Sequence, residues 1–257
     1  MISRRRLALV TALVMAAGPV SACGDSGGSS GDADTTVTVL AAASLTKTFT
    51  EIAKEFESQH QGAKVALSFG GSSDLVSQIQ QGAPADVFAS ADEANMAKLT
   101  GDHLEASDPV DFASNTLEIA TPPGNPAGIA SFADLDKAGV NVVVCAPEVP
   151  CGAAAQKAEA ATGVTIHPVS EEESVTDVLA KVSSGEADAG LVYVTDVAAA
   201  GDSVVGVPFP ESSDIVNTYP IVALKDSSHA DLAQELVDLV LSDTGQGILE
   251  EAGFAKA

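Results

Sequence analysis

Tryptophan is missing from this 257-residue chain, tyrosine occurs twice, and aromatic residues make up only 4% of it. A core without large rings has to be assembled from Ala, Val, Leu and Ile, which the 46% hydrophobic content supplies. That composition suits α/β layers and by itself says nothing of function. Basic residues are scarce too, with 12 Lys and Arg against 36 Asp and Glu and a net charge of −24. So acidic a chain is poorly matched to nucleic acid, whose phosphates are bound chiefly through Lys and Arg. Catalytic signatures are also lacking. There is no Cys-x-x-Cys metal pair, no P-loop and no dinucleotide glycine fingerprint. The histidines His60, His103, His167 and His229 are scattered without metal-ligand spacing and are expected at the surface. No carboxylate pairs obviously with a base, so the case for an enzyme is thin.

What is present begins with an export signal. Arg4, Arg5 and Arg6 precede an apolar run from Leu7 to Ala17 and then Gly18-Pro19. Residues 1–22 therefore read as a signal peptide, with a run too short for a membrane span. Val20-Ser21-Ala22-Cys23 resembles a bacterial lipobox, which implies cleavage before Cys23 and acylation of its thiol. Arg4-Arg5 leaves twin-arginine export open beside the general route. Removing the leader leaves nine basic residues against 36 acidic ones, a net charge of −27. The other two cysteines, Cys145 and Cys151, enclose the segment CAPEVPC. In an oxidising compartment that pair reads as a small-loop disulfide, with two buried free thiols as the alternative. Residues 23–34 are Gly-, Ser- and Asp-rich and read as a flexible tether.

From Thr35 onward, strand-like and helix-like stretches alternate. Thr35–Leu40 alternates as a strand, and Leu45, Phe49, Ile52 and Phe56 then repeat at helical spacing, with Ser44 placed as the N-cap. A second junction follows at Ser68–Asp92. A strand ends in Gly70-Gly71, read as a tight glycine turn, and Ser72-Ser73 leads into a helix carrying Leu75, Val76 and Ile79. Further strands are expected at 117–120, 140–145, 189–194 and 219–224, and further helices at 94–99, 153–161, 230–241 and 245–254. Glu171-Glu172-Glu173 reads as a solvated acidic approach to a helix that Ser174 caps. Alternation of this kind implies parallel βαβ layers with sites at the C-terminal ends of strands. The length fits two α/β lobes better than one.

One pattern recurs: a strand, a small or hydroxyl residue, and a helix start, at Ser44, Ser72, Cys151-Gly152 and Val175. Tyr193 ends a strand where it adds a phenol. Convergence of these points would form a pocket of N–H and O–H donors without lysine or arginine. Helix N-termini would supply the positive potential. Each hydrogen bond to an ion is worth roughly 1.5–3 kcal/mol, so half a dozen would hold an anion firmly.

Ala41-Ala42-Ala43-Ser44-Leu45, the Ser68–Leu75 segment, Gln78-Ile79-x-x-Gly82-Ala83-Pro84-Ala85-Asp86-Val87-Phe88, Ser90-Ala91-Asp92, Gly190–Tyr193 and Tyr219-Pro220 together resemble the periplasmic molybdate-binding proteins of ABC importers. The resemblance spans Thr35 to Ala257. It implies a type II periplasmic-binding-protein fold: two α/β lobes, each a mixed, mostly parallel sheet flanked by helices, closing on a tetrahedral oxyanion without changing it. The ligand is expected to be molybdate and, by the same chemistry, tungstate, with sulfate as the alternative. The resemblance assigns donors to Ser44, Ser72, Cys151, Val175 and Tyr193, with Cys151 and Val175 contributing backbone amides. Ser73 is expected to be a local cap, and Gln78–Asp92 to be scaffold without a ligand donor. Lobe 1 is expected over 35–112 plus 220–257 and lobe 2 over 113–219, with crossings near Ser114 and Thr218. The resemblance further implies a monomer with no cofactor. Lipid would hold it on the outer face of the cytoplasmic membrane, where it serves a membrane permease.

Overall fold

Residues 35–257 are described by the structure, a computed structural model. The expected signal peptide, the lipidated Cys23 and the tether lie outside the described residues. The first strand, β1 (Thr35–Ala42), pairs in parallel with β2 (Ala63–Gly70) and β3 (Val87–Ala89). The helices α1 (Thr46–Gln59), α2 (Ser72–Gln80) and α3 (Glu93–Gly101) join or follow these strands. Phe49, Ile52 and Phe56 of α1 recur every three or four residues and are buried together, as an amphipathic helix requires. On α2, Leu75, Val76 and Ile79 do the same.

The chain then leaves along β4 (Val110–Thr121), a strand of 12 residues of which the sequence reveals only the apolar end. It goes on to β5 (Val142–Cys145), α4 (Pro150–Thr162), β6 (Ser170–Glu172), α5 (Val175–Ser183), β7 (Ala189–Tyr193), α6 (Val194–Ala200) and β8 (Val205–Val207). Strand β9 (Val216–Ala223) brings it back, and α7 (Ala230–Leu241) and α8 (Asp243–Glu251) complete the first side. The strand order is β2-β1-β3-β9-β4-β7-β5-β6, with β8 on β4.

The two long strands organise the molecule. Val110–Thr116 of β4 pairs with β9, whereas Leu117–Thr121 pairs with β7 and β8, so one strand serves two sheets in succession. All of β4's and β9's pairings are antiparallel, while β1, β2 and β3, and likewise β5, β6 and β7, are joined in parallel. Strand–helix alternation alone implies more parallel pairing than this. The antiparallel share arises because β4 and β9 carry the chain out and back. Ser114 and Thr218 face each other across that pair.

The apolar clusters divide at the same place. Two of them draw on residues before Leu117 or after Ile215, including Phe49, Phe88, Leu99 and Tyr219. The third is built from residues 117–215, including Ile119, Val143, Val178 and Leu191, with Ala43 the sole outsider. The acidic run leads into α5 with Glu171 and Glu173 exposed, as expected, but its first part also forms an edge strand, where Glu172 is paired with Lys181 and accepts from the Ser170 hydroxyl. The Gly82–Asp86 turn has a mechanical role. The Asp86 carboxylate accepts from the Thr38 amide at 2.7 Å and from the Ser227 hydroxyl at 2.5 Å, tying β1 and the segment after β9 to the start of β3.

Candidate functional site

Six element starts or ends meet where the two halves touch. The first half contributes Ala42, Ala43 and Ser44 after β1, Gly70, Gly71 and Ser72 at the β2–α2 junction, and Ala91 beyond β3. From the second come Val149, Pro150 and Cys151 at the start of α4, Val175 at the start of α5, and Tyr193 at the end of β7. The cavity they enclose has about 10 Å³ open to the centre of a water molecule, room for roughly one water. An anion with four oxygens around a central atom needs more, so the two halves must part slightly to take it. None of the lining residues is charged.

Ser44, Ser72, Cys151, Val175 and Tyr193 all line this one cavity. Their local roles differ from sequence expectation in several places. Ser44 sits in a 3-10 turn, Ala43–Leu45, and caps nothing; its hydroxyl lies 3.0 Å from the Tyr219 hydroxyl. Gly70 and Gly71 form no left-handed turn, for Gly71 is an extended N-cap at φ −64° and ψ 137°. Ser72 is the first helical residue, and its oxygen accepts from the Ala91 amide at 3.0 Å. Ser73 is not a cap either. Its buried hydroxyl has no partner among the described residues. Helix α4 begins at Pro150, earlier than its alanine run suggested, because proline suits the first position of a helix. Cys151 is thereby drawn into the first turn, where its amide has no intrahelical acceptor. Cys145 and Cys151 are disulfide-bonded, with Cα atoms 5.6 Å apart, which ties the end of β5 to the start of α4.

Val175 holds the corresponding place on α5, where Ser174 is the cap and accepts from the Asp177 amide. Two helices therefore aim unpaired first-turn amides at the cavity from the second half, and α2 aims its own from the first. Amides so arranged, with the helix dipoles behind them, favour an anion. Packing around the cavity keeps bulk solvent from its wall: Ser72, Cys151, Val175 and Tyr193 are all buried.

The hydroxyls are directed as well. The oxygen of Ser72 is occupied by the Ala91 amide, and that of Tyr193 accepts from the Asn217 side-chain amide at 3.1 Å. An oxygen already accepting is free to donate its proton into the cavity. Burial, and after it the neighbouring Tyr219, Asp196 and Asp92, raise the Tyr193 phenol well above its ordinary pKa and keep it a neutral donor. Burial likewise raises Tyr219. Behind Tyr193, the buried Asp196 carboxylate accepts the Tyr193 amide at 2.9 Å, and desolvation lifts its pKa to about 7.

Sequence reasoning missed this supporting layer. Asn217 and Asp196 carry no ligand-site pattern of their own, and Tyr219 was marked only through the Tyr219-Pro220 resemblance. Ala91 was treated as scaffold. It does line the cavity, but its amide is taken by Ser72.

A family description, bacterial extracellular solute-binding protein, matches residues 37–255. The molybdate-binding protein ModA of Mycobacterium tuberculosis is 48% identical over 253 residues, covering 96% of both chains. ModA of Escherichia coli is 31% identical over 85% of this chain and 88% of its own. Among solved structures, the periplasmic molybdate-binding protein of Azotobacter vinelandii superposes with a TM-score of 0.75 at 22% identity, covering 86% of this chain and 99% of that one. The sulfate-binding protein SubI of Mycobacterium tuberculosis superposes with a TM-score of 0.76 at 19% identity, covering 87% of both. At such identities the structural likeness speaks for the two-lobed fold alone.

Proposed function

Given that this chain belongs to the bacterial extracellular solute-binding protein family, we propose that it captures molybdate, and tungstate by the same contacts, and hands it to the permease of an ABC importer. The observation that carries this reading is the cavity of inward-facing donors. Three first-turn amide sets and three hydroxyls converge, two of the hydroxyls already committed as acceptors to the protein, and no cationic side chain lines the wall. The high identity to a named molybdate-binding protein supports the choice of ligand.

Such a site holds a fully deprotonated tetrahedral dianion well. Hydrogen phosphate brings a proton that needs an acceptor, and leaving it unpaired in a closed cleft costs about 1–3 kcal/mol. Sulfate carries the right charge, so its rejection rests on cavity size. No reaction is assigned to the site, and no cofactor is needed. Ser44, Ser72 and Tyr193 donate hydroxyls, and Cys151 and Val175 donate amides.

In this reading lobe 1 comprises 35–112 with 220–257, and lobe 2 comprises 113–219. The lobes swing about the β4–β9 crossings near Ser114 and Thr218, and the anion favours the closed state through donors from both. The protein acts as a monomer, tethered to the outer face of the cytoplasmic membrane through lipid on Cys23. Calorimetric titration with molybdate is expected to give tight one-to-one binding, and thermal unfolding a matching upward shift. A protein whose melting is unmoved by saturating molybdate would sink the assignment. Displacement of molybdate by an equal concentration of sulfate would transfer it to the sulfate class.

A further inference from the structure

Asn217 lies on the returning strand β9 and its side chain is buried. Its Nδ2 is 2.9 Å from the Ala91 carbonyl of the first lobe, 3.1 Å from the Tyr193 hydroxyl of the second, and 3.5 Å from the Pro150 carbonyl, also of the second. Carbonyl oxygens only accept, so two of the three neighbours fix which end of the amide faces them. The two hydrogens of the NH₂ group go to the two nearer oxygens, Ala91 and Tyr193. The Tyr193 oxygen must then accept, and its own proton is free to turn to the cavity when an anion is there, or otherwise to the neighbouring Tyr219 hydroxyl.

We propose that Asn217 is a positioning residue: one NH₂ group orients the Tyr193 phenol to donate to the bound oxyanion and at the same time latches the two lobes in the closed state. The assignment rests on the oxyanion reading above. The latch follows from connectivity. Ala91 follows β3 in lobe 1, Tyr193 ends β7 in lobe 2, and Asn217 sits on the strand that runs between them, so both bonds exist together only when the lobes are closed. No other side-chain amide among the described hydrogen bonds spans Ala91 and Tyr193.

The test is a double-mutant cycle between Asn217→Leu and Tyr193→Phe, read twice. With molybdate, Asn217→Leu is expected to weaken binding roughly tenfold, and Tyr193→Phe by a similar factor. The pair together should lose little more than either alone, because both remove the same donor. Asn217→Asp gives a second readout. An ionised carboxylate accepts the phenol proton and repels the dianion, so binding should be poor near about pH 8 and recover toward about pH 5 as the carboxyl protonates and donates again. A merely structural asparagine produces no such recovery. The cycle is repeated on urea unfolding without ligand, where the Asn217–Tyr193 contact is expected to appear as coupling. Wild-type protein indifferent to molybdate would fail the ligand reading alone, and the unfolding cycle would still judge the contact. Additive losses in the binding cycle, no coupling in the unfolding cycle, or a pH-independent Asn217→Asp would each overturn the proposal.

Discussion

At the scale of the residue, a carboxylate sets the pH behaviour. Asp196 is buried behind the cavity wall, and its pKa is raised from 3.8 to about 7 by desolvation. An acid whose pKa is higher folded than unfolded keeps its proton in the native state over the interval between the two values. The folded form then binds more protons, so stability declines as pH climbs from about 4 to about 7 and is level above that. Glu57 and Asp134 are shifted the other way, Glu57 chiefly by the Val65 amide and Asp134 chiefly by Lys137. They cost stability only as pH falls into the carboxylate range. Ligand-free protein is therefore expected to melt at a lower temperature at pH 8 than at pH 6, and Asp196→Asn to remove most of that difference in calorimetry. Ser72 supplies a second expectation. Its oxygen serves the Ala91 amide as well as the ligand, so Ser72→Ala should weaken molybdate binding by about 1.5–3 kcal/mol and also lower ligand-free stability by about 1 kcal/mol. A loss confined to binding would show that the Ala91 amide finds another acceptor. The five cavity-lining positions could be named from the chain because hydroxyls and helix starts leave a local pattern. Asn217 could not, since its partner lies 24 residues away and only the fold brings the two together, and for Asp196 the local helix-start contact was legible but its burial was not.

Elements meet at several points where no side chain fits, and Gly71, in the cavity wall, is one of them. A Cβ built on Gly71 would stand 2.1 Å from the Glu173 carbonyl oxygen and 3.4 Å from a Val149 methyl. Its φ of −64° is open to any residue, so glycine is needed there for the approach of α2 to the segment before α5, and not for its conformational freedom. Gly71→Ala should hold the cleft ajar. Molybdate affinity is expected to fall by roughly ten- to a hundredfold, the scale of an overpacking penalty, with ligand-free unfolding unchanged. An equal loss in both measurements would mark Gly71 as part of the fold and not of closure. The paired glycines were visible in the sequence as a break, but their reason was not: a turn and a close approach use the same letters. Amphipathic helices such as α1 and α7 were legible from apolar spacing. Strand β4 was mostly illegible, because Val110–Thr116 carries no clean alternation and is fixed by its pairing with β9.

For the whole molecule, charge and colour have consequences. The expected mature chain carries −27 yet is proposed to collect a dianion, so its long-range field opposes capture while the local amides favour it. Salt shortens the reach of that field from about 30 Å at 0.01 M to about 8 Å at 0.15 M and leaves the buried contacts little changed. Association with molybdate should therefore quicken as salt is raised over that range, the reverse of ordinary electrostatic steering; a rate that falls would show that the cleft mouth is locally positive. The type II fold could be anticipated from resemblance, whereas the sharing of β4 between two sheets could not, because a strand's partners lie elsewhere in the chain. Finally, the chain has no tryptophan, and both of its tyrosines are buried, Tyr193 in the cavity wall and Tyr219 next to it with ring centres 6.0 Å apart. Near-ultraviolet emission from this protein has a single origin. Excited in the tyrosine band, it should report opening, closing and ligand exchange directly, with no label attached and no background from the rest of the fold.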